Sequence, residues 1–441
     1  MNCTYSNLWK ITLPIFSFLL IENIISFMDT AFLGRVNETQ LAAASIGGLY
    51  YVCVFIIGFG FSVGSQILIS HRNGEGNFQK IGTLFSSSLY FMLIIAGASL
   101  LFTAFCGEYL FGIMVKSPDV LHEVLRYIKW RQWGFFAIFG VISFRSLYVG
   151  ITKTKVLAYS SWAMGGINFL LNYALIFGKC GMPKMEIEGA ALASTISEYT
   201  ALLILVVYTF IKLNRKQYGL SFKKINISEI VEVLKLSTWT MAQQFVYVVM
   251  WMLLFSFIER FGQHELAQSN IIKSVLMFVY MPMYAFGATM NTITGNLIGE
   301  NNISQIPQVC KKILVLEYAL TIPFIIILSA FPIEILSIYT DNLTILHGIK
   351  PAFFCALMSV ILGLPSYTLC NVILGFGKTY ATFIVEFISL FFYIGALYLT
   401  VYVFRSFPAT WTLDAWYWIL LIILDLIYIK YIGRLFQKNA R

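Results

Sequence analysis
The sequence predicts an all-α integral membrane protein, with twelve transmembrane helices in two six-helix lobes related as a parallel repeat. Three observations carry that expectation: a composition too apolar for water, twelve apolar runs of bilayer length, and an unchanging offset of 225 residues that maps the first half of the chain onto the second.

Hydrophobic residues are 59% of the 441 and charged residues 12%, with a mean hydropathy of +0.78, a balance that excludes a water-soluble domain of this size. The apolar runs cover 11–32, 41–69, 83–105, 134–151, 156–177 and 189–211, then 238–258, 267–298, 313–338, 351–374, 380–404 and 411–431. Each comes close to the about 20 residues a helix needs to cross a bilayer, and none alternates in the manner of an outer-membrane barrel strand. The first run is read as a retained span, because no small-residue cleavage site follows it before Asp29.

The formal charge of +9 follows the positive-inside rule. With both termini inside, 18 of the 30 Lys and Arg lie in inner connections and 10 in outer ones, leaving Arg145 and Lys273 within spans. That split predicts a multi-pass protein of the cytoplasmic (inner) membrane, in contact with lipid and with both termini cytoplasmic. No basic patch on a soluble domain is left over to hold nucleic acid. The seven cysteines are scattered without a Cys-x-x-Cys pair, so neither a disulfide framework nor a metal site is expected. His71, His122, His264 and His347 fall in connections, which leaves no histidine for an intramembrane proton relay.

The repeat is read from particular stretches. "FLGRVNETQLAAASI" (32–46) aligns with "FIERFGQHELAQSNI" (257–271), Gly74, Glu75 and Asn77 fall on Gly299, Glu300 and Asn302, and "GITKT" (150–154) falls on "GFGKT" (375–379). Six spans per half make both halves enter the membrane in the same direction, the parallel arrangement in which a substrate site forms between lobes. The expected organisation is a lobe at 1–211, an inner linker at 212–237 and a second lobe at 238–441.

Two acids inside the first span, Glu22 and Asp29, are the most informative residues. Each ionised acid at mid-membrane costs about 2.5–3.5 kcal/mol on insertion scales, a cost usually retained for function. Seven residues of helix leave the two about 20° apart in azimuth and about 10.5 Å apart in height, on one face. Asn168 and Asn172, one turn apart on the fifth span, can present two carboxamides toward them. Ser194 and Thr195 follow on the sixth span, with Glu198 one turn further, where it either joins the cluster or pairs with Arg145. The alternative for all of these is that they glue helices together, as polar side chains do in bilayers. In the second half Gln243, Gln244 and Tyr247 line the seventh span, and Asn371 lies beyond a proline bend at Pro365. These four are candidates for a substrate pocket, while Lys273, Glu386 and Asp425 read as structural or near an interface.

Pro14, "MDTAFLGR" around Asp29, "LAAAS" (41–45), "INFLLNYALIFG" (167–178), "EGAALAST" (188–195) and "LGFGKT" (374–379) together resemble the MATE family, the multidrug and toxic compound extrusion transporters, over nearly the whole chain. The resemblance implies a two-lobed exporter of organic, often cationic, drugs or metabolites in exchange for protons or sodium ions. It matches the family's first-helix aspartate to Asp29, its fifth-helix asparagine pair to Asn168 and Asn172, and its sixth-helix hydroxyl to Ser194. NorM-type members carry acids in the seventh and tenth helices, where this chain has Tyr247 and Gly363; the glutamate at position 22 resembles the DinF-type branch instead.

The resulting expectation is a secondary antiporter, a monomer, with no catalytic residue and no cofactor. The proton is favoured as coupling ion, carried by Asp29 with Glu22 as partner, and sodium is the alternative. A lipid-linked saccharide flippase of related fold would call for a cationic cavity, and a membrane-embedded enzyme for a catalytic cluster.

Overall fold
The computed structural model describes residues 3–220, 225–340 and 342–439. Lys223, Lys224 and Arg441, counted above toward the inner face, lie outside the described residues.

Among the described residues the regular elements are helical. In chain order they are α1 (Tyr5–Leu33), α2 (Glu38–Gly74), α3 (Phe78–Met114), α4 (Pro118–Arg131), α5 (Gly134–Gly150), α6 (Lys155–Phe177), α7 (Ile187–Lys212) and α8 (Ile227–Ile258). There follow α9 (Gln263–Val279), α10 (Met281–Gly299), α11 (Ile306–Ala330), the short α12 (Pro332–Leu336) and α13 (Leu343–Gly348), α14 (Lys350–Gly375), α15 (Thr379–Tyr398), α16 (Phe407–Thr410) and α17 (Leu413–Asn439). Nine are long and apolar enough to span a bilayer, and two bent pairs, α4 with α5 at 51° and α9 with α10 at 42°, raise the number to eleven. The twelfth is α6, whose 23 residues include buried Ser160, Ser161, Asn168 and Asn172.

Local chemistry sets several of the ends. Asn37 caps α2 by accepting from the Gln40 amide at 2.7 Å, Pro118 opens α4, and Gly178 closes α6 in the left-handed region at φ 66°. The structure corrects three sequence expectations. The fourth span starts well before residue 134, because the amphipathic α4 leads into α5. The helix of the seventh span starts at Ile227, since Glu229 and Glu232 are held by Arg72 at 2.7 and 2.9 Å and the linker's last turns are thereby ordered. The four histidines sit within α2, α4, α9 and α13, near helix ends, where connections were expected.

The chain divides into two compact units, Leu13–Met241 and Met1–Thr12 with Ala242–Arg441. In the first unit, the opening turns of α8 are bound by Ser237 to the Phe61 carbonyl at 3.2 Å and by Thr240 to the Gly60 carbonyl at 2.7 Å. In the second, the first turns of α1 are bound by Lys312 to the Cys3 carbonyl and by paired Thr12 and Thr289 hydroxyls, each at 2.9 Å. Lipid tails are as apolar as leucine, so such packing depends on close fit and interhelical hydrogen bonds more than on the hydrophobic effect. Gly82 shows the fit: a Cβ there would run into the main chain of Tyr218 and Gly219, which lie against α3.

Candidate functional site
The polar cluster of the first unit is built by α1, α6 and α7. Helices α6 and α7 approach closely because Gly189 faces the Leu175 backbone, where a Cβ would meet the main chain at 2.8 Å, and because Ala190 and Ala193 follow it. That approach brings Ser194 within reach of Asn168, whose Nδ2 donates to Ser194 Oγ at 3.1 Å. The Ser194 hydroxyl donates in turn to Asp29 Oδ2 at 2.8 Å. Asn172 Nδ2 donates to Asp29 Oδ1 at 2.5 Å and to Asn168 Oδ1 at 3.0 Å, closing a ring of four side chains. Asn168 and Asn172 are fully buried. Asp29 thus has a donor on each oxygen, which offsets the loss of water around an ionised carboxylate. Asn172 Oδ1 is buried with no partner among the described residues, an acceptor beside the acid.

Thr195 and Glu198 belong to a second cluster one turn along α7. Arg131 grips Glu198 with two parallel hydrogen bonds, at 2.5 and 2.9 Å, and Tyr51 donates to the same carboxylate at 2.8 Å. The guanidinium also stacks 3.5 Å from the Tyr51 ring centroid. Thr195 donates to the Trp130 carbonyl at 3.3 Å. The partner of Glu198 is therefore Arg131, where Arg145 was the sequence-based alternative. Arg131 sat outside the apolar run beginning at 134, so hydropathy alone assigned it to an outer connection. Glu22 makes no hydrogen bond among the described residues, and the charges acting on it are those of Arg145 and Glu198. It does not join the Asp29 ring.

In the second unit, Gln243 and Tyr247 both turn to Glu386, donating to Oε1 at 2.6 and 3.1 Å. Asn371 bonds back to the Tyr367 carbonyl of its own helix at 2.9 Å, and Gln244 is half-buried. Two of the four pocket candidates thus converge on Glu386, for which the sequence predicts a structural or near-interface place. Glu317, fully buried on α11 and accepting from Thr368 at 2.9 Å, was missed altogether. The signal was available, since it is an acid inside the run 313–338.

A family model described as MatE matches residues 14–174 and again 240–399, once in each half of the chain. The chain is 25% identical over 388 residues to a probable multidrug resistance protein NorM of Thermotoga maritima, covering 86% of this chain and 82% of that protein. It is 23% identical to a protein of the same name from Pasteurella multocida, covering 75% of this chain and 72% of the relative. An outward-facing multidrug resistance MATE family transporter superposes with a TM-score of 0.89 at 15% identity, over 96% of this chain and 94% of that one. A MOP superfamily transporter from Pyrococcus furiosus, described as having a binding pocket of reverse polarity, superposes at 0.87 and 15% identity over 97% and 96%. With the family model matched across both halves and the fold matched across nearly all of the chain, this multi-pass membrane protein belongs to the MATE family.

Proposed function
We propose that the chain is a secondary antiporter of the cytoplasmic membrane, exporting small organic compounds, often cationic, in exchange for a cation bound at Asp29. One observation carries this reading: Asp29, about one turn before the C-terminal end of α1, is held by Asn172 and Ser194, with Asn168 between them, in a ring whose members come from α1, α6 and α7. A carboxylate held this way can be vacated by one cation and taken by another, and differential affinity between two states is what couples their movements. The proton is favoured over sodium as counter-ion, because a sodium ion would have to displace the donors that face both Asp29 oxygens. Sodium would need a shell of oxygens, for which the Asn168 and Asn172 amides must turn to present Oδ1.

The 18 to 10 split of basic residues supports both termini on the cytoplasmic side. A monomer in contact with lipid, with no cofactor and no nucleic-acid partner, completes the reading. The leaning toward the DinF-type branch rests on Glu22, Tyr247 and Gly363, whereas the curated relatives named above carry the name NorM. The flippase alternative finds no support. It needs free cationic charge in a cavity, and the buried Arg131 is committed to Glu198.

The test is reconstitution of the full chain in liposomes with ethidium as probe. An imposed pH difference, with sodium absent, should drive accumulation, and Asp29→Asn should abolish it at normal insertion. Accumulation that requires a sodium gradient and ignores pH would replace the proton by sodium.

A further inference from the structure
The second unit holds a narrow void among α8, α14, α15 and α17, too tight for a water molecule, with Tyr247, Ser366, Cys370, Glu386, Trp418 and Asp425 on its wall. Four of these carry a buried polar atom without a hydrogen-bond partner among the described residues: Ser366 Oγ, Glu386 Oε2, Trp418 Nε1 and Asp425 Oδ2. Glu386 and Asp425 are 2% and 1% exposed. Neither has an ion pair among the described residues. The titratable groups that face them are Tyr247 from α8, Tyr367 and Cys370 from α14 and Tyr417 from α17, none of them cationic. Two ionised carboxylates in such a place would be severely under-compensated.

We propose that Glu386 and Asp425 form a proton-binding site of the second unit, filled and emptied independently of Asp29. The bound proton sits on a carboxyl oxygen that lacks a donor, Glu386 Oε2 or Asp425 Oδ2, while Gln243 and Tyr247 keep the other Glu386 oxygen in place. A sodium ion fits the site less well, because the void admits nothing the size of water and Trp418, on its wall, can offer only a donor. The proposal goes beyond the assignment of Asp29, which lies in the other unit.

Infrared difference spectra of the purified full chain, recorded between acid and alkaline pH, read protonated carboxyl groups directly and need no transport. The wild type should show a carboxylic carbonyl band that titrates, that is lost or reduced in both Glu386→Gln and Asp425→Asn, and that persists in Asp29→Asn. Gln243→Leu, which keeps both acids and removes only the bond to Glu386 Oε1, should shift the band and serves if the acid variants fail to fold. A spectrum unchanged by Glu386→Gln or by Gln243→Leu overturns the proposal, as does a band that disappears on adding sodium at constant pH. Failure of ethidium transport alongside a normal Glu386 band would count against the exporter reading and leave this site standing.

Discussion

Asp29 and Glu198 of the first unit are held in the opposite way to Glu317, Glu386 and Asp425 of the second. In Leu13–Met241 both oxygens of Asp29 receive donors and Glu198 has a bidentate arginine. In the second unit Glu317, Glu386 and Asp425 are each left with a carboxyl oxygen that has no partner among the described residues. The first pattern suits acids that can be ionised and exchange one cation for another; the second suits acids that hold a proton. A sequence repeat therefore need not repeat the chemistry. At the 225-residue offset Glu22 falls on Tyr247 and Asp29 on Leu254, while Glu386 falls on Ser161.

The comparison can be broken most forcefully at Arg131. Removing one partner of a buried ion pair strands the other, so Arg131→Ala should destabilise the first unit by about 3–5 kcal/mol. Adding Glu198→Gln should restore much of that loss. Glu386→Gln in the second unit should be close to neutral, because no cation is stranded. Thermal unfolding in detergent reads all three variants, and a large loss for Glu386→Gln with a small one for Arg131→Ala would reverse the account.

A smaller effect sharpens the packing that assembles the Asp29 ring. Gly189→Ala places a methyl group against the Leu175 main chain and should cost about 1–3 kcal/mol as α6 and α7 move apart. Transport should fall along with stability, since the Asn168 to Ser194 bond spans that contact. Full transport with a normal melting temperature would show that the ring does not depend on this approach.

The smallest effect gives a baseline from outside the spans. Lys184 and then Gln40 hold the Glu186 carboxyl below the ordinary glutamate range. Their contribution is present above that range and is lost as pH falls through the lowered value. The pair is largely exposed, so Lys184→Ala should cost less than about 1 kcal/mol, and chemical denaturation at neutral and acid pH checks it.

Much of this was legible in the sequence. Eleven spans stand out by hydropathy when bent pairs are joined, and the repeat predicted two halves. Asp29, Asn168, Asn172 and Ser194 were predicted together, and the structure brings all four into one ring. Acids and amides inside apolar runs are conspicuous, and helical spacing says which share a face. Arg131 was not legible, because the bent α4–α5 pair carries it into the interior from a segment that reads as an amphipathic connection. Glu22 was paired with Asp29 on azimuth, yet two helical turns of rise separate them, and Arg145 and Glu198 are the charges it faces. Glu386 was undervalued because its partners, Gln243 and Tyr247, come from a helix more than a hundred residues away, a proximity that one sequence does not encode visibly.

The central claim is that a proton and an organic cation compete for Asp29. Equilibrium binding of ethidium to the purified full chain, measured across a pH series at constant sodium, tests it most directly. The account predicts that wild-type affinity weakens as pH falls, because a protonated Asp29 no longer attracts the cation, and that Asp29→Asn binds weakly with no such slope. The same pH slope in Asp29→Asn as in the wild type would contradict it.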